Sequence, residues 1–321
     1  MRKFALVGLA VAAVILGLAC GRESAPQEKT PSSADPASLR AATVFSGEIA
    51  FQSDLDGNPE IYVLSSDRLR QLTDASWNSE FPKWSPDGRR IAFSANPGGT
   101  YQVFVMNADG SGVRQITRGE NDAIEQAWFP DGKRLAFTEQ RRSGLGRSYT
   151  LWSIDLQTGR LERLVQEFSG SIALPEFSPT APLLAFTGKK VLGWDAFVYD
   201  FASKAVTQVT RGGKACRPHF SPDGRRLAFV SSQADGKGDI WVMNPDGSGQ
   251  ARLTELPETF DYYPSWSGDG RTIVFASGTK HYPHQGQWSL FLADVATKKI
   301  KPLFRSGSRD VFPDWRWSPG S

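Results

Sequence analysis

The sequence predicts an all-β fold, a six-bladed β-propeller of four-stranded blades whose ring is closed by pairing the N- and C-terminal strands. Two observations carry this prediction. A ten-residue stretch, first seen as WSPDGRRIAF at residues 84–93, returns at steps of 44, 49, 43 and 46 residues. An IAF strand without the preceding turn lies near the start of the chain, and an unmatched FPDW segment lies near its end. Steps of this size are typical of propeller blades, whereas helical repeats would need stretches with a period of 3.6 residues.

Each copy of the repeat has the chemistry of a β-hairpin. In the first copy, Pro86 fixes φ after the strand residue Trp84, and Gly88 supplies the positive φ that a tight turn needs. Residues 91–93 then resume as an apolar strand. The third copy has Thr180-Ala181-Pro182 in place of Asp-Gly-Arg, so we expect its hairpin to use a different turn. The remaining copies begin at Trp128, Phe177, Phe220 and Trp266.

The two ends of the chain are expected to complete one blade together. Two further strand segments follow each copy of the repeat, so each unit supplies four strands. Ile49-Ala50-Phe51 lacks the strand that should precede it, and Phe312-Pro313-Asp314-Trp315 supplies that strand. We therefore expect the C-terminal strand to pair beside the N-terminal strand around Glu48–Ser53, which leaves the sheet without a long free edge. Two registers stay open, because either Trp315 or Trp317 can be aligned on the repeat.

The first 19 residues predict a signal peptide. Residues 1–3 end in Arg-Lys, and residues 4–19 are apolar and uncharged, which is too short for the roughly 20 residues that cross a bilayer. Leu16-Gly17-Leu18-Ala19-Cys20 resembles the lipobox of bacterial lipoproteins, which implies that Cys20 becomes lipidated after cleavage. A plain secretory signal and an uncleaved membrane anchor are the alternatives. The expected location is therefore exported and membrane-anchored, facing the periplasm or the cell surface.

The rest of the chain divides into a tether and the propeller. Residues 20–45 are rich in Pro, Ser, Ala and charge, which predicts a flexible tether after the lipidated cysteine, and residues 46–321 form the propeller. The chain has 37 basic and 34 acidic residues, and two of the basic ones lie in the signal peptide. Near neutrality gives no support for a nucleic-acid partner, which requires a concentrated basic face. Cys216 is expected to be a small buried strand residue.

The sequence carries no recognisable catalytic signature, such as a GxSxG elbow, an HExxH helix, a P-loop or a dinucleotide glycine fingerprint. His281-Tyr282-Pro283-His284 is interpreted as a solvated loop, with a metal site as the alternative. Asp54–Glu60 has the spaced carboxylates of a calcium loop but not its distal glutamate, and is interpreted as a hairpin connection. We therefore predict no catalytic residue, no metal and no cofactor, leaving open a calcium ion in the channel or the loops.

Candidate binding residues lie just before each Pro-x-Trp or Pro-x-Phe segment. If that segment is the innermost strand of a blade, the preceding loop lies at one mouth of the central channel. Mixed charges beside aromatic residues suit the recognition of a protein or peptide, although the same residues could be ordinary polar loop residues. The candidates are Trp77, Asn78, Glu80, Asp122, Glu125, Arg217, Asp261, Tyr262, Tyr263, Arg309 and Asp310.

Several longer motifs resemble the TolB-type propeller of bacterial envelope proteins. They are FxSDxDGNxEIY at residues 51–62, PxWSPDGRRIAFSA at 82–95, and VMNxDGSG at 105–112 and 242–249. The resemblance extends over residues 46–319. It implies a periplasmic propeller that binds the peptidoglycan-associated lipoprotein through its mouth, beside a separate N-terminal α/β domain. The tether runs directly into the first blade here, so we expect that domain to be missing.

These observations predict a non-enzymatic, monomeric cell-envelope lipoprotein that acts as a protein- or peptide-binding scaffold through the propeller mouth. Its expected partners are the membrane, through the lipid anchor, and an envelope protein or peptide, for which a peptidoglycan-associated lipoprotein is one model. The alternative is a carbohydrate-binding or polysaccharide-lyase-like propeller, since similar propellers occur in polysaccharide lyases. A lyase is expected to bring a set of metal-binding histidines into the channel.

Overall fold

The computed structural model describes residues 41–144, 146–190, 193–281 and 284–316. Within these ranges the chain is all-β, with 24 strands arranged as six four-stranded antiparallel sheets. The predicted signal peptide, the lipidation site Cys20 and most of the predicted tether lie outside them. Among the described residues, we find no helix with the length and apolarity that a membrane crossing requires.

Six sheets form the blades of a propeller, and the first strand named for each blade is the innermost one. Blade 1 consists of β24 (Val311–Trp315), β1 (Ile49–Ser53), β2 (Glu60–Leu64) and β3 (Leu69–Gln71). Blade 2 consists of β4 (Ser79–Trp84), β5 (Arg90–Ala95), β6 (Gln102–Asn107) and β7 (Arg114–Gln115). Blade 3 consists of β8 (Asp122–Trp128), β9 (Arg134–Ser143), β10 (Gly146–Asp155) and β11 (Leu161–Arg163).

The other three blades repeat this order along the chain. Blade 4 consists of β12 (Ser171–Phe177), β13 (Leu183–Lys189), β14 (Asp195–Asp200) and β15 (Val206–Gln208). Blade 5 consists of β16 (Ala215–Phe220), β17 (Leu227–Ser231), β18 (Asp239–Met243) and β19 (Ala251–Arg252). Blade 6 consists of β20 (Phe260–Trp266), β21 (Thr272–Gly278), β22 (Trp288–Asp294) and β23 (Ile300–Phe304).

The ring is closed by β24 and β1, as the sequence predicts. These strands pair antiparallel with Trp315 opposite Ile49, just as Trp84 lies opposite Ile91 in blade 2. The Trp315 indole Nε1 also donates a hydrogen bond of 2.9 Å to the carbonyl of Ser46. The register is therefore the one in which Trp315, not Trp317, is aligned on the repeat.

The last part of the predicted tether contacts the propeller. Within residues 41–45, the backbone N–H of Ala42 donates to the carbonyl of Leu303 in β23 over 2.6 Å. The Phe45 ring meets the Trp315 ring edge to face, with 5.7 Å between their centroids. These contacts attach the segment before β1 to blades 6 and 1.

The repeated turn has the geometry that its residues predict. The Ser85 hydroxyl donates to Asp87 Oδ1 over 2.6 Å, and Gly88 has a φ of 65°. In the third copy the turn differs, as expected: Ala181 does not adopt a positive φ, and its carbonyl accepts a hydrogen bond from the N–H of Leu183. Loss of the Asp-Gly pair thus changes the turn but keeps the hairpin.

Hydrophobic core fills the spaces between neighbouring blades. Between blades 2 and 3, for example, Val103 of β6 packs in one cluster with Trp128 and Leu135. Aromatic residues of the repeat, such as Trp128 and Phe137, therefore lie between blades. Cys216 in β16 is 1% exposed, which confirms its interpretation as a small buried strand residue.

An arginine of the repeat fastens each of two blades to the next one. The Arg90 guanidinium of blade 2 lies 4.6 Å from the ring centroid of Trp128 in blade 3, and it donates to the carbonyl of Gly132 over 2.6 Å. Arg226 has the same relation to Trp266, also at 4.6 Å. This contact combines a cation–π interaction with a charge-assisted hydrogen bond.

Candidate functional site

Each innermost strand is interrupted at the same position by a β-bulge. In β4, for example, the pairing with β5 shifts between Glu80 and Lys83. The residue at the bulge has a left-handed backbone, with φ between 54° and 61°, although none of the six is glycine. A left-handed conformation costs a non-glycine residue about 1–2 kcal/mol, so the surrounding structure must impose it. These residues, called the bulge ring below, are Phe81, Glu125, Leu174, Arg217, Tyr263 and Phe312.

Neighbouring blades fix the bulge ring. The Thr187 hydroxyl of β13 accepts the N–H of Arg217 over 2.9 Å, and the Thr138 hydroxyl of β9 accepts the N–H of Leu174 over 3.2 Å. Proline follows five of the six members and restricts the backbone further. In blade 3 the position of this proline is occupied by Gln126, whose side-chain amide donates to the carbonyl of Ala92 in β5 over 3.1 Å.

The bulge ring and the residue after each member line a cavity of about 80 Å³ on the propeller axis, together with Lys83, Glu176 and His219. By the usual requirement of about 10–15 Å³ for a buried water, this space accommodates several waters or a small chemical group. All six innermost strands run in the same direction. The bulge ring therefore lies nearer to the end at which these strands begin, and the residues two positions later lie deeper in the channel.

Aromatic rings and an arginine occupy one side of the bulge ring. The centroids of Tyr263 and Phe312 are 4.0 Å apart, and those of Phe81 and Phe312 are 4.4 Å apart. The Arg217 guanidinium lies 4.3 Å from the Tyr263 centroid and 5.7 Å from that of Phe312. A glutamate and a leucine complete the ring. Aromatic and arginine side chains are the ones that contribute most to protein interfaces.

Four charged or titratable side chains meet deeper in the channel; Lys83, Glu176, His219 and Asp314 are called the channel cluster below. The Lys83 ammonium lies 3.0 Å from Asp314 Oδ1 and 3.3 Å from Glu176 Oε2. His219 Nε2 lies 3.4 Å from Glu176 Oε1 and 3.8 Å from Asp314 Oδ1. Since these residues belong to blades 2, 4, 5 and 1, the channel cluster joins four blades across the axis.

The electrostatics of the channel cluster keep its closest pair charged. Burial alone would lower the pKa of Lys83, but the carboxylates of Asp314 and Glu176 more than offset this, so the pKa is raised. Burial would likewise raise the pKa of Asp314, but Lys83 and His219 hold it below its usual range. Lys83 is thus an ammonium and Asp314 a carboxylate near neutral pH.

Within the ranges that the structure describes, no group of three or more His, Cys, Asp or Glu side chains is arranged so that it could hold a metal ion. In the predicted histidine loop, the His281 ring packs against Phe260 with 5.1 Å between centroids. Tyr282 and Pro283 of that loop lie outside the described ranges.

Three of the predicted mouth residues, Glu125, Arg217 and Tyr263, line the cavity as members of the bulge ring. Two of the predicted acids are instead buried in the walls of the blades. Asp261 accepts a hydrogen bond of 2.6 Å from the Ser277 hydroxyl, and burial raises its pKa. Asp310 accepts one of 2.8 Å from the hydroxyl of Ser53, and its side chain is inaccessible to solvent. Both carboxyl groups hold strands and loops together.

Two further predicted acids, Glu80 and Asp122, are also buried. The Tyr101 hydroxyl donates to Glu80 Oε1 over 2.5 Å, while the Tyr101 backbone N–H donates to Asp122 Oδ1 over 3.0 Å. The Gln140 amide adds a hydrogen bond of 3.0 Å to Asp122 Oδ2. These two carboxyl groups therefore position the loop before β6.

The remaining predicted residues lie in loops and in one blade interior. Trp77 is 40% exposed, and the Asn78 amide donates to the Tyr101 hydroxyl over 3.0 Å. Tyr262 is buried and stacks on Trp288 with 5.6 Å between centroids. None of these side chains is among those that line the described cavity.

Residues 54–60 form a connection between strands whose carboxylates have protein partners. Asp54 Oδ2 accepts a hydrogen bond of 2.6 Å from Arg309 Nε, which pairs this predicted mouth residue with the loop. Asp56 accepts one of 2.6 Å from the Tyr62 hydroxyl. Burial raises the pKa of Glu60, although several hydrogen bonds act in the opposite direction. This arrangement supports the interpretation as a hairpin connection.

Sequence reasoning missed the other cavity residues because it considered only the loop before each Pro-x-Trp or Pro-x-Phe segment. The missed residues flank the proline itself. A signal was available, because the residue after the proline is polar and varies among blades, with lysine, glutamate, histidine, serine and aspartate in turn. The missed residues are Phe81, Leu174, Phe312, Lys83, Gln126, Glu176 and His219, and Asp314 belongs with them as the partner of Lys83 in the channel cluster.

Known proteins of two kinds are similar to this chain. Tol-Pal system protein TolB of Anaeromyxobacter dehalogenans (strain 2CP-C) is 33% identical over 183 residues, which are 56% of this chain and 41% of that protein. Dipeptidyl-peptidase 5 of Porphyromonas gingivalis is 28% identical over 267 residues, which are 78% of this chain and 37% of that protein. The chain thus spans less than half the length of either relative.

Solved structures and a family model agree on the fold. The crystal structure of TolB from Acinetobacter baumannii matches with a TM-score of 0.72 at 19% identity, covering 85% of this chain and 67% of that one. The family model for the TolB beta propeller domain matches residues 40–164 and 146–315, which include all six blades. The resemblance found in the sequence motifs is therefore confirmed, and the chain belongs to the TolB β-propeller domain family.

Proposed function

We propose that this chain is a non-enzymatic cell-envelope lipoprotein that binds a protein or peptide at the mouth of its propeller. The observation that carries the proposal is the bulge ring. The hairpin motif around it is repeated almost unchanged, whereas the ring carries five residue types on six backbones of the same unusual conformation. Backbone strain maintained at six equivalent positions favours a role in presenting side chains.

The chemistry of the ring suits a protein or peptide partner better than a small polar ligand. Tyr263, Phe312 and Phe81 offer an aromatic surface beside the charges of Arg217 and Glu125. Such a mixture supplies both apolar contact area and directional hydrogen bonds. We infer an envelope protein or an extended peptide, for which a peptidoglycan-associated lipoprotein is one model, given the relative in the Tol-Pal system.

The proposed location rests on the N-terminal sequence. Residues 1–19 have the pattern of a signal peptide, and Cys20 follows as the proposed lipidation site. A single lipid-modified cysteine followed by a polar tether would keep a monomeric propeller near a membrane surface while allowing it to reach a partner. The propeller would then face the periplasm or the cell surface.

A photo-crosslinking experiment in cells tests the proposal. The full chain carries a photoreactive amino acid in place of Phe312, and the captured protein is identified by mass spectrometry. We expect Glu125→Lys to reduce capture by about tenfold or more, because it reverses a charge in the bulge ring. Glu162→Lys, on the exposed outer strand β11, is the matched control and should capture normally.

Two further arms make this experiment decisive. Cys20→Ala should move the protein from the membrane fraction to the soluble fraction without abolishing capture in lysates, whereas unchanged membrane association would remove the lipoprotein assignment. Capture that survives both Glu125→Lys and Tyr263→Ser in folded protein would show that the mouth is not the binding site. Glu80 and Asp261 are unsuitable for such charge reversals because both are buried.

The channel cluster is the one observation that favours the alternative, a carbohydrate-binding or lyase-like propeller. Cleavage of a uronide by elimination needs a base, and Lys83 is a poor base because its neighbours raise its pKa. His219 is the better candidate among these residues. Metal analysis of the purified protein together with a uronide cleavage assay decides the question: cleavage that is lost in His219→Ala would replace the binding proposal.

A further inference from the structure

The guanidinium of Arg217 is incompletely satisfied within the part of the chain that the structure describes. Its Nε is buried and has no hydrogen-bond partner there, and its side chain lines the channel cavity. Leaving a buried donor unsatisfied is unfavourable, and the left-handed backbone, with a φ of 57°, adds to that cost. Two unfavourable features at one residue of a cavity point to a missing ligand group.

Two other enclosed arginines in the described part of the chain have carboxylate partners. Arg309, with a side chain 10% exposed, lies 2.6 Å from Asp54, and Arg252, 20% exposed, lies 2.9 Å from Asp239. Arg90 and Arg226, which also stack on aromatic rings, donate instead to backbone carbonyls. Arg217 differs from all four, because its described side-chain contacts are with the rings of the aromatic side.

We propose that Arg217 binds a carboxylate group of the partner, so that the channel mouth is selective for an acidic peptide group. This inference rests on the proposed function and specifies its chemistry. All candidate ligands carry one carboxylate, which can come from an aspartate or glutamate side chain or from a peptide C-terminus.

The orientation of the guanidinium suits this role. Its Cζ lies over the Tyr263 ring, 4.3 Å from the centroid, and a cation–π contact of this kind uses none of the five N–H donors in the guanidinium plane. These donors are the groups through which arginine can bind a carboxylate by two parallel hydrogen bonds. The cavity of about 80 Å³ has room for a group of that size.

The charges around the site favour a carboxylate over a phosphate. Glu125 belongs to the same ring, and the channel cluster beneath it holds two carboxyl groups, Glu176 and Asp314, against the ammonium of Lys83. A doubly charged phosphate would be repelled more strongly by these acids than a singly charged carboxylate. The deeper acids are themselves paired with Lys83, so they do not neutralise Arg217.

Nuclear magnetic resonance of the arginine Nε–Hε groups tests the proposal on the folded mature chain. The probes are N-acetyl-phenylalanine, with a C-terminal carboxylate, N-acetyl-aspartic acid amide, with a side-chain carboxylate, and the uncharged N-acetyl-asparagine amide. We expect a saturable shift of the Arg217 signal with at least one carboxylate probe and none with the amide. The two carboxylate probes distinguish the two sources of the group.

Three variants complete the test. Arg217→Gln identifies the signal and should weaken carboxylate binding by roughly tenfold to a hundredfold, which corresponds to a charge-assisted hydrogen bond. Arg217→Lys keeps the charge but not the planar fork and should bind with intermediate affinity. Arg225→Gln removes an exposed arginine of a repeat turn and should bind like the wild type.

Several results would overturn the proposal. They are the absence of a saturable shift with both carboxylate probes, equal binding by Arg217→Gln in folded protein, or stronger binding of inorganic phosphate. The failure of the proposed function would look different. Carboxylate binding without any captured partner would remove the protein-binding role, whereas capture that depends on the bulge ring but not on Arg217 would remove only the carboxylate.

Discussion

At the residue scale, buried carboxyl groups act as hydrogen-bond acceptors where strands meet loops. Asp310 accepts hydrogen bonds from the Ser53 hydroxyl at 2.8 Å and from the Ser306 hydroxyl at 2.7 Å. Burial is the main cause that raises the pKa of Asp310 to about 7, although these hydrogen bonds lower it. Burial similarly raises the pKa of Asp239 to about 6, against the opposing effect of Arg252. The folded chain therefore retains protons that the unfolded chain would release.

Asp310 makes stability depend on pH in a defined direction. Because its folded pKa is above its unfolded value, the folded state binds more protons between about pH 4 and pH 7, and the free energy of unfolding falls as pH rises through this window. The contribution is about 4 kcal/mol at most. Asp310→Asn should flatten the pH profile measured by urea unfolding.

The informative quantity is the difference between the pH profiles of wild type and Asp310→Asn, since other buried acids titrate in both proteins. Asp294→Asn provides the control, because hydrogen bonds from the Thr297 N–H and hydroxyl lower the pKa of Asp294. Above about pH 5 this variant should follow the wild-type profile. Parallel profiles for wild type and Asp310→Asn would contradict the assignment.

At the element scale, the hairpins were predictable from the sequence because their determinants are local. Pro86, Asp87 and Gly88 fix the turn through their own backbone preferences and hydrogen bonds. The bulge was not predictable in this way. At Leu174 and Arg217 the left-handed residue donates its N–H to a hydroxyl group of the neighbouring blade, and such contacts exist only once the ring has assembled.

The difference between local determinants and contacts between blades also explains why only some of the site residues were predicted correctly. Polarity before the innermost strand identified Glu125, Arg217 and Tyr263, which do line the channel. It could not separate them from Asp261 and Asp310, because acids that are buried beneath a loop and acids that face a channel have the same local sequence character. Burial depends on which hydroxyl groups the next strand brings, which the local pattern does not show.

The arginine contact between blades leads to a prediction at this scale. Arg90→Ala removes both the stacking on Trp128 and the hydrogen bond to Gly132. Because Arg90 is partly exposed, we expect the free energy of unfolding to fall by about 1–2 kcal/mol. Arg89→Ala, one position earlier and exposed, should change it by less than about 0.5 kcal/mol. Equal effects of the two variants in urea unfolding would show that the contact between blades adds no stability.

At the scale of the whole molecule, two features oppose opening of the ring. One is the pairing of β24 with β1, which joins the two ends of the propeller through backbone hydrogen bonds. The other is the channel cluster, in which Lys83 of blade 2 contacts Asp314 of blade 1 and Glu176 of blade 4. The lowered pKa of Asp314 means that this contact stabilises the fold above about pH 4 and is lost on acidification.

A double-mutant cycle on Lys83 and Asp314 measures how strongly the channel cluster couples blade 1 to blade 2. Lys83→Met leaves two enclosed carboxylates without their ammonium and should cost about 3–5 kcal/mol in the free energy of unfolding. Asp314→Asn keeps an oxygen to accept the Trp84 N–H, a hydrogen bond of 2.7 Å, so it should cost less. The double variant should cost less than the sum by at least about 1 kcal/mol.

The matched control is the ion pair of Arg160 and Glu162, at a comparable 2.7 Å but on the exposed outer edge of blade 3. A cycle with Arg160→Met and Glu162→Gln should show coupling below about 0.5 kcal/mol, because solvent screens this pair and both side chains lose freedom in forming it. If the effects of the Lys83 and Asp314 variants on the free energy of unfolding added as fully as those of the control pair, the channel cluster would not couple blades 1 and 2. Ring closure would then rest on the pairing of β24 with β1 and on the packing between blades.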